Sequence, residues 1–248
     1  MTNVEKMTTV IVPSYNPDEK LRLVVEGLTG YGFKDIIIID DGSAEQYKKN
    51  FPTCDEFPEI TLLVHEVNRG KGAALKTAFG YFIKNRPEME GVVCVDGDNQ
   101  HRVEDVYACC ERMFADNERC LVLGCRDFTL PDVPLRSRFG NRFTSGVFAF
   151  FCGIKVSDTQ TGLRAVPREF LADLIKIEGD RYEYETNMLL QMKTLGISFS
   201  EIKIKTVYID DNQTSHFRPF LDSMRIYGLI LKFMAASAAS FVIDNALF

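Results

Sequence analysis

At 248 residues the chain has the length of one large α/β domain, and 46% hydrophobic with 26% charged residues supplies a full core, which excludes a disordered chain and a small disulfide-stapled scaffold. Asp and Glu outnumber Lys and Arg by 35 to 29, so the net charge of −6 argues against a surface built to coat nucleic acid, and any anionic partner must be met locally. The seven cysteines form no CxxC pair and several sit in apolar runs, the usage of a reducing compartment. The N-terminal segment carries no apolar stretch of signal-peptide length, which points to a cytoplasmic start.

In chain order, short apolar β-branched runs at 9–12, 36–39, 60–64 and 92–95 alternate with helical patterns at 18–28 and 72–83. Strand followed by helix, repeated, predicts an α/β fold with a mainly parallel sheet flanked by helices, whose ligands bind at the carboxyl ends of the strands. Three of those ends are polar: Pro13-Ser14-Tyr15-Asn16, Asp40-Asp41-Gly42-Ser43, and Asp96-Gly97-Asp98-Asn99-Gln100-His101. Beyond Gly124 an arginine-rich loop (Arg126, Arg136, Arg138, Arg142) leads into the aromatic stretch 143–151. Across 126–168 seven Lys or Arg face three Asp or Glu, a local +4. A helix opening near Glu183 and Glu185, a strand at 202–209 and a loop at 210–219 follow. The division expected is a domain over 1–228 and an apolar C-terminal helix over 229–248. The uncharged core of that helix, 233–243, is short of the roughly 20 residues a bilayer needs. It reads as a core or interface helix, as the opening of a truncated membrane helix, or as an interfacial helix.

The chemistry concentrates in a few places. Asp96 and Asp98 at the end of a buried strand repel each other by about 4 kcal/mol at an effective dielectric near 20, so something must offset that repulsion. Mg2+ or Mn2+ held by Asp96, Asp98 and Gln100 and bridging to phosphate oxygens satisfies this; solvated turn carboxylates are the bland alternative. The second acidic pair, Asp40-Asp41, strengthens the metal reading. The run Asn68-Arg-Gly-Lys-Gly72 before a helix reads either as a set of backbone N–H groups and Lys71 presented to a nucleotide or as an ordinary capping turn. It is no Walker loop and no dinucleotide fingerprint. The three histidines lack metal-ligand spacing, and no GxSxG elbow is present.

Taken together, Pro-Ser-Tyr-Asn, Ile-Asp-Asp-Gly-Ser, Asn-x-Gly-Lys-Gly-x-Ala and Val-Asp-Gly-Asp-Asn-Gln-His resemble glycosyltransferase family 2 over nearly the whole chain. Gly124-Cys-Arg126, Asp158-Thr-Gln-Thr-Gly-Leu-Arg164 and Thr214-Ser215-His216-Phe217-Arg218 are most similar to its polyprenyl-phosphate subgroup, the dolichyl-phosphate mannose synthase group. The resemblance implies a GT-A fold, with Pro13, Tyr15, Asp40, Asp41 and Lys71 around base and ribose. It makes Asp96 and Asp98 the diphosphate and metal residues, with Gln100 assisting, and Arg126, Arg136, Arg138 and Ser215 the acceptor-phosphate residues. The chain departs from the subgroup pattern at Gly97, Arg102 and Val103 and in having His216 where Lys is usual.

The activity implied is inverting sugar transfer from a nucleotide sugar, with a UDP-sugar favoured over GDP-mannose, to a polyprenyl phosphate at the cytoplasmic face of a membrane. Self-association stays open and no nucleic acid is involved. Processive polysaccharide synthases of this family carry a Trp-containing motif, and this chain has no Trp. A phosphate monoester with a second pKa near 6 is about nine-tenths dianionic at pH 7 and needs no general base. Asp158 is the candidate base if the acceptor is a hydroxyl; its other role is to orient Arg126 or Arg164. The rivals are a soluble transferase acting on a glycan hydroxyl and a non-catalytic nucleotide-sugar-binding module.

Overall fold

The computed structural model of the chain describes residues 3–115, 119–129, 133 and 135–205. The predicted strands at 9–12, 36–39, 60–64 and 92–95 are present as β1 (Thr8–Ser14), β2 (Ile36–Asp40), β3 (Ile60–Val64) and β4 (Gly91–Cys94). Three further strands, β5 (Leu121–Arg126), β6 (Arg164–Pro167) and β7 (Phe199–Ile204), complete a sheet in the order β3-β2-β1-β4-β6-β5-β7. All pairings are parallel except those of β6, which is antiparallel to both neighbours.

The helices are α1 (Lys20–Tyr31), α2 (Lys71–Asn85), α3 (Val103–Phe114), α4 (Leu135–Val147), α5 (Arg168–Leu174) and α6 (Glu183–Gln191). Continuous β-branched runs suit strands buried on both faces, and alternate residues divide between two cores. Ile11, Ile37 and Ile39 pack with Ala74, Ala78, Phe79 and Phe82 of α2, while Val10, Val12, Ile36 and Ile38 pack with Leu21 and Val25 of α1 and Cys109 and Met113 of α3. Six cysteines of the described residues are free thiols. Burial pushes Cys94 and Cys110 up to about 12, so both behave as small hydrophobes.

Register brings the functional tips to one edge. Ser14 lies opposite Asp40, and Asp40 opposite Val64. Cys94 lies opposite Arg164, and Arg164 opposite Leu123. Because β6 runs the other way, its start meets the ends of β4 and β5 there, so the Asp158–Leu163 loop lands beside the Asp96 loop.

Two segments differ from the sequence reading. The predicted arginine-rich loop and aromatic stretch become α4 and a π-helical turn, Phe148–Cys152. Tertiary anchors supply what local propensity lacks: Asn141 Nδ2 donates to the Ser157 carbonyl at 2.6 Å, and Phe148 is fully buried. The strand expected at 202–209 begins at Phe199, where pairing with Leu121 starts, and its later residues lie outside the described residues. Ser215 and the segment 229–248 also lie outside them, as does the Arg136 side chain. No helix of the described residues is long and apolar enough to cross a membrane.

Candidate active site

The first two strand tips are stapled together. Asn16, at φ 49°, donates its N–H to Ser43 Oγ at 2.8 Å, and its Oδ1 accepts the Ala44 N–H at 2.9 Å. Pro13 sits in β1 opposite Ile39, and Tyr15 stands just past the strand end at 37% exposure. Asp40 is buried and its Oδ1 accepts the Ser43 N–H at 2.8 Å.

Asp41 is buried as well. Its Oδ1 meets His65 Nδ1 at 2.7 Å and the Arg69 N–H at 2.9 Å, and its Oδ2 accepts the Gly70 N–H at 2.7 Å. The Arg69 and Gly70 amides of the 68–72 run are therefore spent inside the protein, on Asp41, as in a capping turn. The Ala73 N–H also goes inward, to the Asp180 carbonyl at 2.9 Å. A Cβ on Gly72 would lie 2.5 Å from Tyr184 Cβ, so that glycine is there to let the start of α6 approach.

What the turn does present is Lys71. Its Nζ lies 2.7 Å from Asp96 Oδ1 and 3.1 Å from Glu185 Oε1. Burial lowers the ammonium pKa, but the two carboxylates outweigh it and hold Lys71 well above its ordinary range. Burial likewise pushes Asp96 up, and Lys71 and His101, whose Nε2 is 3.6 Å from Asp96 Oδ2, outweigh it and hold the carboxyl well below its ordinary range. Glu185 belongs to this cluster although it was read only as the start of a helix. An acid facing a lysine from more than a hundred residues away leaves no mark in local spacing.

Among the described residues no cation forms an ion pair with Asp98, and the charges of His101 and Lys71 offset its surroundings only in part. Burial first and the charge of Asp96 second raise its carboxyl, while the Gln100 N–H donates to Oδ1 at 3.1 Å. A carboxylate raised in this way fits a hard dication, which would relieve both effects. No group of three or more His, Cys, Asp or Glu side chains among the described residues is arranged to hold a metal ion. An ion here would need oxygens from outside the protein, as Mg2+ commonly does.

Across the edge stands Arg126, at the end of β5. Its Nε and Nη2 donate to Asp158 Oδ2 and Oδ1 at 2.8 and 3.0 Å, and its own N–H donates to Oδ2 at 3.2 Å. The Gln160 N–H adds a fourth bond, to Oδ1 at 3.1 Å, and Asp158 is fully buried. The Arg126 side chain keeps 30% exposure and stacks on Phe128 at 5.1 Å. Arg138 lies half-buried on α4, one turn before Asn141, whose bond to Ser157 joins that helix to the Asp158 loop. Between the two halves Gly162 packs directly on Asp96: a Cβ there would come within 2.2 Å of Oδ2. Arg164 is fully buried, donating to the Thr161 and Glu185 carbonyls at 3.1 and 2.8 Å, which ties this loop to α6.

The sequence pattern of glycosyl transferase family 2 matches residues 9–175, two-thirds of the chain. The chain belongs to this family. Among its similar proteins is a UDP-N-acetylglucosamine–dolichyl-phosphate N-acetylglucosaminyltransferase of Methanococcus voltae, 27% identical over 83% of this chain and 88% of the relative. The polyprenol monophosphomannose synthase of Mycolicibacterium smegmatis is 25% identical, covering 79% and 76%. The fold is shared with the glucosyl-3-phosphoglycerate synthase of Mycobacterium tuberculosis, solved with Mn2+, UDP and glucosyl-3-phosphoglycerate, at a TM-score of 0.68 and 14% identity over 93% of this chain and 79% of that one. The fold is therefore GT-A, and the protein is a glycosyltransferase.

Proposed function

We propose that this family 2 glycosyltransferase moves a sugar, with inversion, from a nucleotide-sugar donor to the phosphate of a polyprenyl lipid at a membrane surface. The observation that carries this reading is the state of Asp158. A carboxylate offers about four lone-pair positions, and all are spent on three donors of Arg126 and one of Gln160. With its lone pairs all engaged, Asp158 has no position left to meet an incoming hydroxyl, so the acceptor that suits this site arrives already ionised. A phosphate monoester does. Arg126 then supplies charge and a planar fork for it, with Arg138 and the Arg136 and Ser215 positions as further acceptor contacts.

On the donor side, Tyr15, Pro13 and the Asp40 and Asp41 tips frame the base and ribose. Asp98, with Asp96 and Gln100, would hold Mg2+ or Mn2+. When bound, that ion supplies charge stabilisation to the departing diphosphate. Lys71 keeps Asp96 ionised and fixed, so that the acidic loop keeps one geometry. The named donors and acceptors of the relatives support a UDP-sugar and a lipid phosphate. Catalysis by positioning and charge requires no nucleophile from the protein.

The deciding experiment offers radiolabelled UDP-sugars and GDP-mannose with Mn2+ to the enzyme, with a prenyl phosphate or a panel of free glycans as acceptor. Label moving into the lipid fraction is expected. Label moving only into water-soluble glycans would assign the hydroxyl-acceptor chemistry, and nucleotide-sugar binding without nucleoside diphosphate release would assign a binding module.

A further inference from the structure

His65 stands just beyond β3 and belongs to no motif of the family resemblance. It is nonetheless buried between two polar partners: Nδ1 lies 2.7 Å from Asp41 Oδ1, and Nε2 lies 3.0 Å from Thr77 Oγ1. Thr77 is on α2, the helix that begins with Lys71. Asp41, in turn, accepts the N–H groups of Arg69 and Gly70, the two residues immediately before Lys71. The imidazole thus clamps α2 from two sides, through its flank at Thr77 and through the turn that leads into it.

We propose that His65 is a positioning residue for transfer: by bridging Asp41 and Thr77 it fixes the first turn of α2, and so holds Lys71 against Asp96 and Glu185. The physical case rests on rigidity. Asp41 is a buried carboxylate, and His65 is the side chain that meets it, its remaining bonds being to backbone amides. A two-point clamp leaves the helix neither rotation about its axis nor sliding along it. Lys71 has four rotatable bonds to spend on disorder if the helix start shifts, and its 2.7 Å contact with Asp96 is sensitive to shifts below 1 Å. An apolar residue at position 65 would fill space but leave the Asp41 charge held by amides alone. The inference rests on the transferase reading for its consequence, although the clamp itself can be measured without any substrate.

The test has two arms on the full chain. In the first, amide hydrogen exchange is followed at Arg69 and Gly70 in the wild type, His65→Ala and Thr77→Val. Exchange at both amides is expected to quicken about tenfold in His65→Ala and less in Thr77→Val, with the interior of β1 and β4 unchanged. Protection at both positions equal to wild type would overturn the proposal. The second arm is a double-mutant cycle on nucleoside diphosphate release from UDP-sugar, with Lys71→Met as partner. His65→Ala is expected to lower kcat about tenfold in the Lys71 background and by less than twofold in Lys71→Met, because it acts through that lysine. His65→Gln, which restores one donor to Asp41, should recover part of the loss. Additive effects in the cycle would overturn the role through Lys71. A wild-type enzyme that releases the diphosphate without glycosylating a prenyl phosphate would defeat the acceptor reading while both arms still decide the clamp.

Discussion

The two halves of the site are built by different means. The proposed donor half, at the tips of β1, β2 and β4, is braced by buried acids that accept backbone N–H groups: Asp40 from Ser43, and Asp41 from Arg69 and Gly70. The proposed acceptor half centres on the Asp158–Arg126 ion pair, next to α4 and its π-helical turn, which leave Phe143 and Phe150 exposed at 53% and 81%. Many short bonds to the backbone make a rigid socket that loses little when one is removed. A single pinned arginine fails as a unit. Substitutions on the two sides should accordingly fail in different kinetic parameters.

The largest effect is expected at the donor half. Asp98→Ala removes the carboxylate best suited to the dication and should lower turnover by about a thousandfold, while thermal unfolding stays near wild type. A normal metal-dependent rate in that variant would remove Asp98 from the site. Next, Asp158→Asn replaces the carboxylate that faces the Arg126 guanidinium with a neutral amide. It should raise the KM for prenyl phosphate strongly with a smaller change in kcat, and cost about 2 kcal/mol of stability, reduced from the fully buried case because Arg126 is 30% exposed. If Asp158 were instead a general base, kcat would fall by about a hundredfold or more with acceptor KM unchanged.

A smaller effect sharpens the boundary between the halves. Gly162→Ala places a methyl 2.2 Å from Asp96 Oδ2, so the loop must move, at a cost of about 1–3 kcal/mol and with weaker binding of nucleotide and acceptor together. Unchanged stability and kinetics would mean the two halves do not touch there. The smallest concerns Asp127, whose carboxyl is lowered to about 2 by the Thr129 hydroxyl and amide and by Lys203. A carboxyl lower in the folded state favours folding above its ordinary range and loses that contribution as pH falls through about 2. An NMR titration should place Asp127 there, and Thr129→Val should move it up toward an ordinary aspartate; an ordinary value in the wild type would break the assignment.

The helix at 135–147, where an arginine-rich loop leading into an aromatic stretch is expected, shows where sequence reading fails. Its residues are rich in Ser, Thr, Gly and Asn, poor helix formers, and the anchors to Ser157 and the burial of Phe148 supply tertiary support. The strands of the donor half were legible for the opposite reason, since a run such as Ile36–Ile39 is buried on both faces and its apolar pattern states that directly.

By itself the sequence determined that the chain is α/β, that its strands end in acids, and that a basic segment follows. Those properties depend on side-chain type and spacing along a single element. Tertiary structure alone decided which acids are engaged by the protein's own groups. Asp41 and Asp98 read alike as strand-end carboxylates, yet the first is consumed by amides and His65 while the second is left to be raised by burial and by Asp96. The identity of a carboxylate's neighbours is set by elements many residues away, so its charge, reach and role exist only once the sheet has brought them together.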